Sequence, residues 1–265
     1  MPPIVTALHY YPIKSCGGVT LEVGEADWRG FRYDRHWLIV DPHGDFVTQR
    51  ELPRLALIHP TIHSGMLTIN APAMSPLSLP LGMDGRRMSV TVWDSECEAF
   101  DQGDDAAQWL SDTLESPLRL VRMADDHIRQ VDQRYAKRTS DQVGFADGYP
   151  FLLISEESLA DLNTRLDTPL PMNRFRPNLV VRGVDAYAED GWKQIRIGAM
   201  IFDVVKACAR CTITTTDQET AKRGKEPLRT LATYRDSERG VLFGQNLIHA
   251  APGTVRVGDE VIILA

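Results

Sequence analysis

Two cysteines three residues apart, Cys208 and Cys211, are the side chains of this sequence with the most specific chemistry. Arg210 stands directly before the second of them, and a guanidinium next to a thiol favours the thiolate. Thiolate sulfur is the ligand that soft, redox-active transition metals prefer. The first functional hypothesis is therefore that Cys211 binds a metal.

Four interpretations of the cysteine pair compete. A thioredoxin-like motif needs a helix after the pair, whereas the β-branched residues of 212–216 favour a strand. Structural zinc needs four ligands, and an iron–sulfur cluster needs cysteines at ferredoxin spacing, but Cys16 and Cys97 are isolated. Two buried cysteines acting as small apolar residues are the common alternative to all functional sites.

Three other segments place a cation and a hydrogen-bonding neighbour at the edge of a predicted strand. They read Tyr11-Pro-Ile-Lys-Ser15, Tyr33-Asp-Arg-His-Trp37 and Asn173-Arg-Phe-Arg-Pro-Asn178. Arginine and lysine are the usual ligands of phosphate groups, although each segment alone is more often a solvated strand edge. Together with the arginine beside Cys211, they predict a phosphorylated cofactor held near a sulfur ligand.

The composition restricts the class of protein. The 265 residues, 43% of them hydrophobic, suffice for one large domain or two modest ones with a buried core. A net charge of −7 argues against a general nucleic-acid binder, which needs a basic surface. No apolar run approaches the roughly 20 residues of a membrane span, and the N-terminus does not resemble a secretory signal. With only four cysteines, we expect a reducing, cytoplasmic location.

β-strands are expected to dominate the fold. Short apolar or alternating runs separated by Gly and Pro favour a barrel or sandwich over β–α–β units. These runs lie at 4–10, 36–40, 46–48, 55–58, 66–69, 88–93, 178–182, 200–206 and 254–264. Helices are predicted at 104–116 and, with Ser155 as N-cap, at 155–166. The polar segment 125–148 is predicted to be a long surface loop. A domain boundary is placed near residue 120.

Several motifs, in order along nearly the whole chain, resemble the MOSC superfamily, named after the C-terminal domain of molybdenum-cofactor sulfurase. Besides the segments above, they are Cys-Ala-Arg-Cys-Thr followed by Thr-Thr-x-Asp, Glu226-Pro-Leu-x-Thr-Leu and Phe243-Gly-Gln-Asn. The sequence is most similar to the branch that includes the amidoxime-reducing components. The resemblance implies a mostly β (α+β) fold, with an N-terminal β-barrel domain at 1–120 and a C-terminal MOSC β-barrel domain at 121–265.

The resemblance also implies a molybdenum cofactor (molybdenum–molybdopterin) between the two domains, with Cys211 as the only protein ligand of the metal. The pterin and its phosphate would be held by Lys14, Ser15, Arg35, Arg176 and Asn178, and Arg210 would add positive charge beside the ligand. Cys208 would be structural, because the family motif needs only the second cysteine. One departure is that Gly148 and Tyr149 stand where relatives tend to have small hydroxyl residues.

The implied activity is the reduction of N-hydroxylated small molecules, such as amidoximes, hydroxylamines and N-hydroxylated bases. No cysteines remain for an iron–sulfur cluster, so a separate ferredoxin, flavodoxin or small reductase would supply electrons. Asp217 is a candidate general acid, with a turn-stabilising role as the alternative. The alternative functions are a carrier of the molybdenum cofactor, or of persulfide sulfur on Cys211, and a β-barrel interaction module without metal.

Overall fold

β-strands form most of the regular structure of the chain. The computed structural model describes residues 2–265. In chain order the strands are β1 (Ile4–Tyr10), β2 (Val19–Leu21), β3 (Val23–Asp27), β4 (Gly30–Phe31), β5 (Trp37–Val40), β6 (His59–His63), β7 (Met66–Asn70), β8 (Leu77–Pro80), β9 (Arg87–Val92), β10 (Ser95–Asp101), β11 (Arg119–Met123), β12 (Phe151–Ser155), β13 (Leu179–Arg182), β14 (Gln194–Ile197), β15 (Met200–Ala209), β16 (Leu242–His249), β17 (Gly253–Arg256) and β18 (Val261–Ile263). The helices are α1 (Asp104–Leu114), α2 (Glu156–Thr164) and α3 (Leu228–Leu231). The predicted fold class, mostly β with a few helices, is confirmed.

Eight strands form the largest sheet, in the order β18–β14–β15–β16–β12–β13–β1–β2. All neighbours in it are antiparallel except β12 and β13, which are parallel. The ring of Phe151 on β12 contacts Phe31 and Phe202 edge to face, with centroids 4.9 and 5.3 Å away. These rings belong to the core on this sheet, where burial of apolar surface is the main stabilising term.

Three smaller sheets complete the fold, with the strand orders β5–β11–β10–β9, β17–β3–β4 and β6–β7–β8. Helix α1 lies against β11 and buries Trp109 and Leu110 in a second core with Trp37 and Leu120. Two aspartates begin this helix, where carboxylates interact favourably with the helix dipole. Among residues 2–265, no helix has the length and apolar character needed to cross a membrane.

The first strands of the chain belong to the sheets of its second half. Strand β1 pairs with β13 on one side and with β2 on the other, and β3 pairs with β17. These strand pairings join residues 4–31 to the range 121–265. As a consequence, the segment after β1 lies beside the segment before β13, where Tyr11 Oη donates to the Pro177 carbonyl. The division into domains at 1–120 and 121–265 stays a prediction.

Most of the predicted elements are present, and two strands are not. Both helices are confirmed, and the Ser155 side chain caps α2 by accepting from the Ser158 N–H. The predicted strand at 55–58 is wrong, because Pro53–Leu57 is a 3₁₀ turn. The predicted strand at 46–48 is also wrong, since only Phe46 makes an isolated bridge, to Val40. Periodicity cannot separate such short apolar runs from buried turns.

The segment 125–148 has no helix or regular strand, but it is not simply a surface loop. Val131, Val143 and Phe145 in it are at most 1% exposed. The buried Arg129 guanidinium donates to the carbonyls of Gly144 and Ala146 and so fixes the end of the segment. The segment is therefore a packed part of the fold that ends next to the candidate site.

Candidate functional site

One cavity brings together seven of the eight predicted site residues. It is lined by Lys14, Ser15, Arg35, Arg176, Asn178, Arg210 and Cys211, together with residues 146–149 and Cys208. The first two follow β1, Arg35 precedes β5, two precede β13, and the last two follow β15. The cavity therefore lies where the ends of four strands from both halves of the chain meet.

Three of these residues have a backbone conformation that residues other than glycine rarely adopt. The φ angles of Ser15, Arg35 and Arg176 are 66°, 46° and 55°, in the left-handed region. Each such residue costs on the order of 1–3 kcal/mol, and such strain clusters at functional sites. The surrounding structure therefore holds these side chains in place at an energetic cost, as expected for a preformed binding site.

Arg176 is a buried cation with an unused hydrogen-bond donor. Its guanidinium and that of Arg35 each lie 4.2 Å from the ring centroid of Tyr11. Its Nη1 is 3.5 Å from Gln218 Oε1, and its buried Nη2 has no partner within residues 2–265. Burial lowers the pKa of Arg176 to about 10, so it stays charged at neutral pH. An anionic ligand would satisfy both the charge and the unused donor.

Arg35 is held in place by a dense set of hydrogen bonds. Its Nη1 donates to Asp34 Oδ2 at 2.5 Å and to Asn178 Oδ1 at 3.1 Å. Asn178, 1% exposed, also accepts from the Leu152 N–H and donates to the His9 carbonyl. Asn178 thus connects β1, β12 and the Arg35 segment, so in this structure it positions other cavity residues.

Lys14 forms an ion pair with a residue that the sequence did not single out, Asp147. Its Nζ donates to Asp147 Oδ1 at 2.5 Å and to the Phe145 carbonyl at 2.9 Å. Burial lowers the pKa of Lys14, and Asp147 opposes this effect. Desolvation at the cavity wall would raise the pKa of Asp147, but the charge and the hydrogen bond of Lys14 lower it below its usual value. Asp147 is therefore ionised at neutral pH.

The two cysteines both line the cavity, and both are free thiols. Arg210 Nη1 donates to Cys208 Sγ at 3.0 Å and Nη2 to the Phe175 carbonyl at 2.7 Å, while its buried Nε has no partner within residues 2–265. Arg210 thus contacts Cys208, although it precedes Cys211 in the sequence. Cys208, predicted to be structural, forms part of the cavity wall.

The backbone around Cys211 decides between several of the sequence interpretations. A 3₁₀ turn, Thr212–Thr215, follows it rather than the α-helix of a thioredoxin-like site. Within residues 2–265, no group of three or more His, Cys, Asp or Glu side chains could hold a metal ion, which excludes the structural zinc arrangement there. A metal at Cys211 would therefore take its other ligands from outside these protein side chains.

Asp217 is the one predicted site residue that the structure does not bring to the cavity. Its Oδ1 accepts from the Glu219 and Thr220 N–H groups and from the Thr220 hydroxyl. These Thr220 hydrogen bonds lower the pKa of Asp217, although burial acts against them. This geometry supports the turn-stabilising alternative, and a general-acid role for Asp217 has no geometric support.

The donor set of the cavity fits a phosphorylated cofactor with a metal. Four cations, Lys14, Arg35, Arg176 and Arg210, line it together with a single carboxylate, Asp147. Of the four arginines with a buried guanidinium nitrogen that has no partner within residues 2–265, two, Arg176 and Arg210, line this cavity. A phosphate would pair with these donors, and the thiol of Cys211 offers a soft metal ligand.

Comparisons with known proteins identify two domains in the chain and a set of relatives. Residues 3–117 match the MOSC N-terminal beta barrel domain, and residues 140–262 match the MOSC domain. The sequence is 40% identical to mitochondrial amidoxime-reducing component 1 of Mus musculus and of Homo sapiens, over 98% of this chain and 82% of each relative. It is 36% identical to mitochondrial amidoxime reducing component 2 of Bos taurus, over 97% of this chain and 82% of the relative.

Proposed function

This chain belongs to the family of the amidoxime-reducing components, which combine an N-terminal MOSC β-barrel domain with a MOSC domain, and we propose that it is a molybdenum-cofactor-dependent reductase of N-hydroxylated compounds. The observation that carries the proposal is the pair of unpartnered guanidinium donors, Arg176 Nη2 and Arg210 Nε, in the cavity that Cys211 lines. The names of the relatives indicate the reaction type, and the cavity supplies residues that fit a phosphorylated cofactor with a metal.

Different residues of the cavity would bind different parts of the cofactor. Cys211 would bind the metal, Arg176 and Arg210 would pair with the phosphate through their free N–H groups, and Arg35 would add charge. Lys14 and Ser15 would complete the site from the segment after β1. When bound, the molybdenum cofactor supplies two-electron oxygen-atom transfer. The protein binds and orients the group and keeps a positive field around it.

The proposed reaction takes an amidoxime, two electrons and two protons to an amidine and water, which balances atoms and charge. Cys16 and Cys97 are buried in the protein core, so no cysteine cluster offers an iron–sulfur site within residues 2–265. The electrons would come from a separate donor, a ferredoxin, a flavodoxin or a small reductase. The identity of this donor and a cytoplasmic location stay predictions.

The test uses protein expressed in a host that makes molybdopterin. We expect about one molybdenum per chain, as in a site with a dedicated ligand. With viologen reduced by dithionite, the protein should convert benzamidoxime to benzamidine, and Cys211→Ala should abolish this turnover. Metal-free protein would overturn the proposal. Metal-loaded protein that does not turn over, but passes its cofactor to an acceptor enzyme, would establish the carrier function instead.

A further inference from the structure

An exposed indole, that of Trp93, is hydrogen-bonded to a residue of the cavity wall and has no part in the proposed cofactor site. We propose that Trp93 and Asp147 form a substrate subsite that selects planar aromatic N-hydroxylated compounds. The aromatic ring of the substrate would stack on Trp93, and its N–H groups would donate to the Asp147 carboxylate. The inference rests on the proposed function and names its substrate class.

Trp93 occupies a position that usually belongs to glycine. It is the first residue of the two-residue turn between β9 and β10, and its φ is 55°. Turns of this length favour Gly where φ is positive, because other side chains are strained there. The side chain is nevertheless 45% exposed, so burial does not explain why a tryptophan is tolerated here. Strain of this kind points to a functional role.

A hydrogen bond connects this indole to the cavity wall. Trp93 Nε1 donates to Asp147 Oδ1 at 3.2 Å, and Asp147 lines the cavity. Lys14 Nζ donates to the same oxygen. Within residues 2–265, Oδ1 accepts both of the hydrogen bonds that the Asp147 carboxylate receives. The Asp147 side chain is 60% exposed. The second oxygen, Oδ2, is therefore available to a ligand.

Two further side chains fix the orientation of the indole. The Arg50 guanidinium lies 4.3 Å from its ring centroid, and the ring of Phe46 meets it at 5.1 Å with an angle of 60°. Cation–π and edge-to-face contacts of this kind restrict the ring before a ligand arrives. A ligand therefore meets a surface that is already organised, which reduces the entropy lost on binding.

The chemistry of an aromatic amidoxime and of its product matches this pair of groups. A phenyl ring offers a face for stacking on the indole, which gains on the order of 2- to 10-fold in affinity. The amidine product is a planar cation, and one of its NH2 groups can donate a charge-assisted hydrogen bond to the available Oδ2 of Asp147. An aliphatic amidoxime such as acetamidoxime keeps the N–H groups but lacks the ring.

The first experiment compares the two substrates with Trp93 variants. Trp93→Gly suits the positive φ, so a failure to fold is not expected from the backbone. It should raise KM for benzamidoxime about 3- to 10-fold, with little change in KM for acetamidoxime or in kcat. Trp93→Phe keeps a ring and should show a smaller effect. Trp28→Ala, at another turn with a 53% exposed indole, is the matched control and should change neither KM.

The second experiment needs no turnover. Benzamidine should quench tryptophan fluorescence in the wild type. Trp93→Phe should still bind benzamidine, as measured by calorimetry, but should lose most of this quenching. Asp147→Asn should weaken its binding. Equal KM changes for both substrates in Trp93→Gly, or unchanged benzamidine binding in Trp93→Gly and Asp147→Asn, would overturn the subsite. Absence of turnover with both substrates in the wild type would instead overturn the proposed function, while the benzamidine titration still tests the subsite.

Discussion

Cys208 and Cys211 have different surroundings, although both line the cavity. Cys208 Sγ accepts a hydrogen bond from Arg210, whereas Cys211 directly precedes the 3₁₀ turn after β15. We expect Cys211→Ala to lose nearly all bound molybdenum, because the proposed protein ligand is removed. We expect Cys208→Ser to keep it, because a hydroxyl still accepts from Arg210. Metal analysis and thermal unfolding of the purified variants test both results. If Cys211→Ala retained molybdenum and Cys208→Ser lost it, Cys208 rather than Cys211 would be the metal ligand.

His36 should make the stability of the protein depend on pH. Burial, and then the charges of Arg29 and Arg122, lower the pKa of His36 from 6.5 to about 4. Between these values the unfolded chain binds a proton that the folded chain does not. The free energy of unfolding therefore falls as the pH falls through this range, by at most about 1.4 kcal/mol per pH unit from this group.

The prediction for His36 is tested by urea unfolding from neutral pH down to about pH 4. His36→Gln should unfold with a flatter pH dependence over this range, since the glutamine does not titrate. His43→Gln, at an exposed position, should leave the pH dependence of the wild type unchanged. An equal slope in the wild type and His36→Gln would show that the imidazole is not held neutral by the fold.

Individual residues also show what sequence reasoning could and could not find. The sequence motifs place cations at strand ends, and seven of the eight predicted site residues, four of them cations, line one cavity. Asp147 was missed because its partner Lys14 is 133 positions away and no local pattern links them. Asp217 lies near Cys211 in the sequence, but its side chain accepts hydrogen bonds from Thr220 in the adjacent turn.

At the scale of elements, Gly244 shows how closely β16 approaches β12. Its φ is 80°, and a Cβ would lie 2.6 Å from Ile154 Cγ1 and 2.9 Å from the Leu153 carbonyl. Gly65, in the turn between β6 and β7, has nearly the same φ of 77° but open space around it. Alanine substitutions at Gly244 and Gly65 therefore distinguish the cost of backbone strain from the cost of a steric clash within the sheet.

We expect Gly65→Ala to lower the free energy of unfolding by about 1–2 kcal/mol, the cost of a left-handed backbone. Gly244→Ala should cost roughly 1–3 kcal/mol more, because the methyl group also overpacks the sheet. Denaturant unfolding of both variants measures the difference. Equal losses would mean that β12 and β16 can separate without cost and that only the backbone angle matters.

Elements with a clear period or cap were predictable, and irregular ones were not. The apolar spacing in α1 and the Ser155 cap of α2 are local features, so both helices were found. The apolar run at 55–58 predicts a strand, but burial of Leu55 in the 3₁₀ turn Pro53–Leu57 produces the same pattern. The segment 125–148 looks polar, yet its few apolar residues pack inside, and tertiary contacts decide such cases.

At the scale of the whole molecule, the cavity depends on contacts between distant parts of the chain. Gln49 and Gln218 exchange two hydrogen bonds of 3.0 Å between their side-chain amides, 169 positions apart. Gln49 also donates to the Ser15 carbonyl, and Gln218 accepts from Arg176. Both halves of the cavity are thus connected to one buried amide pair, and no pattern in a single sequence reveals this pairing.

The same dependence predicts that the second half of the chain does not fold alone. A fragment of residues 121–265 lacks β1, which pairs with β13, and β3, which pairs with β17. It also lacks Val5, Leu8 and Phe31, which are at most 2% exposed in the core of the large sheet. The fragment would therefore expose a long strand edge and an open core.

We expect the 121–265 fragment to show no cooperative urea transition by circular dichroism, because the lost strand pairing and apolar burial exceed the small net stability of a domain. Adding a peptide of residues 1–35, which contains β1 to β4, should restore a cooperative transition. A peptide of the same length with Val5 and Leu8 replaced by serine is the control and should not restore it. A cooperative transition of 121–265 alone would show instead that the boundary near residue 120 separates two independent folding units, with β1 added to a sheet that is already stable.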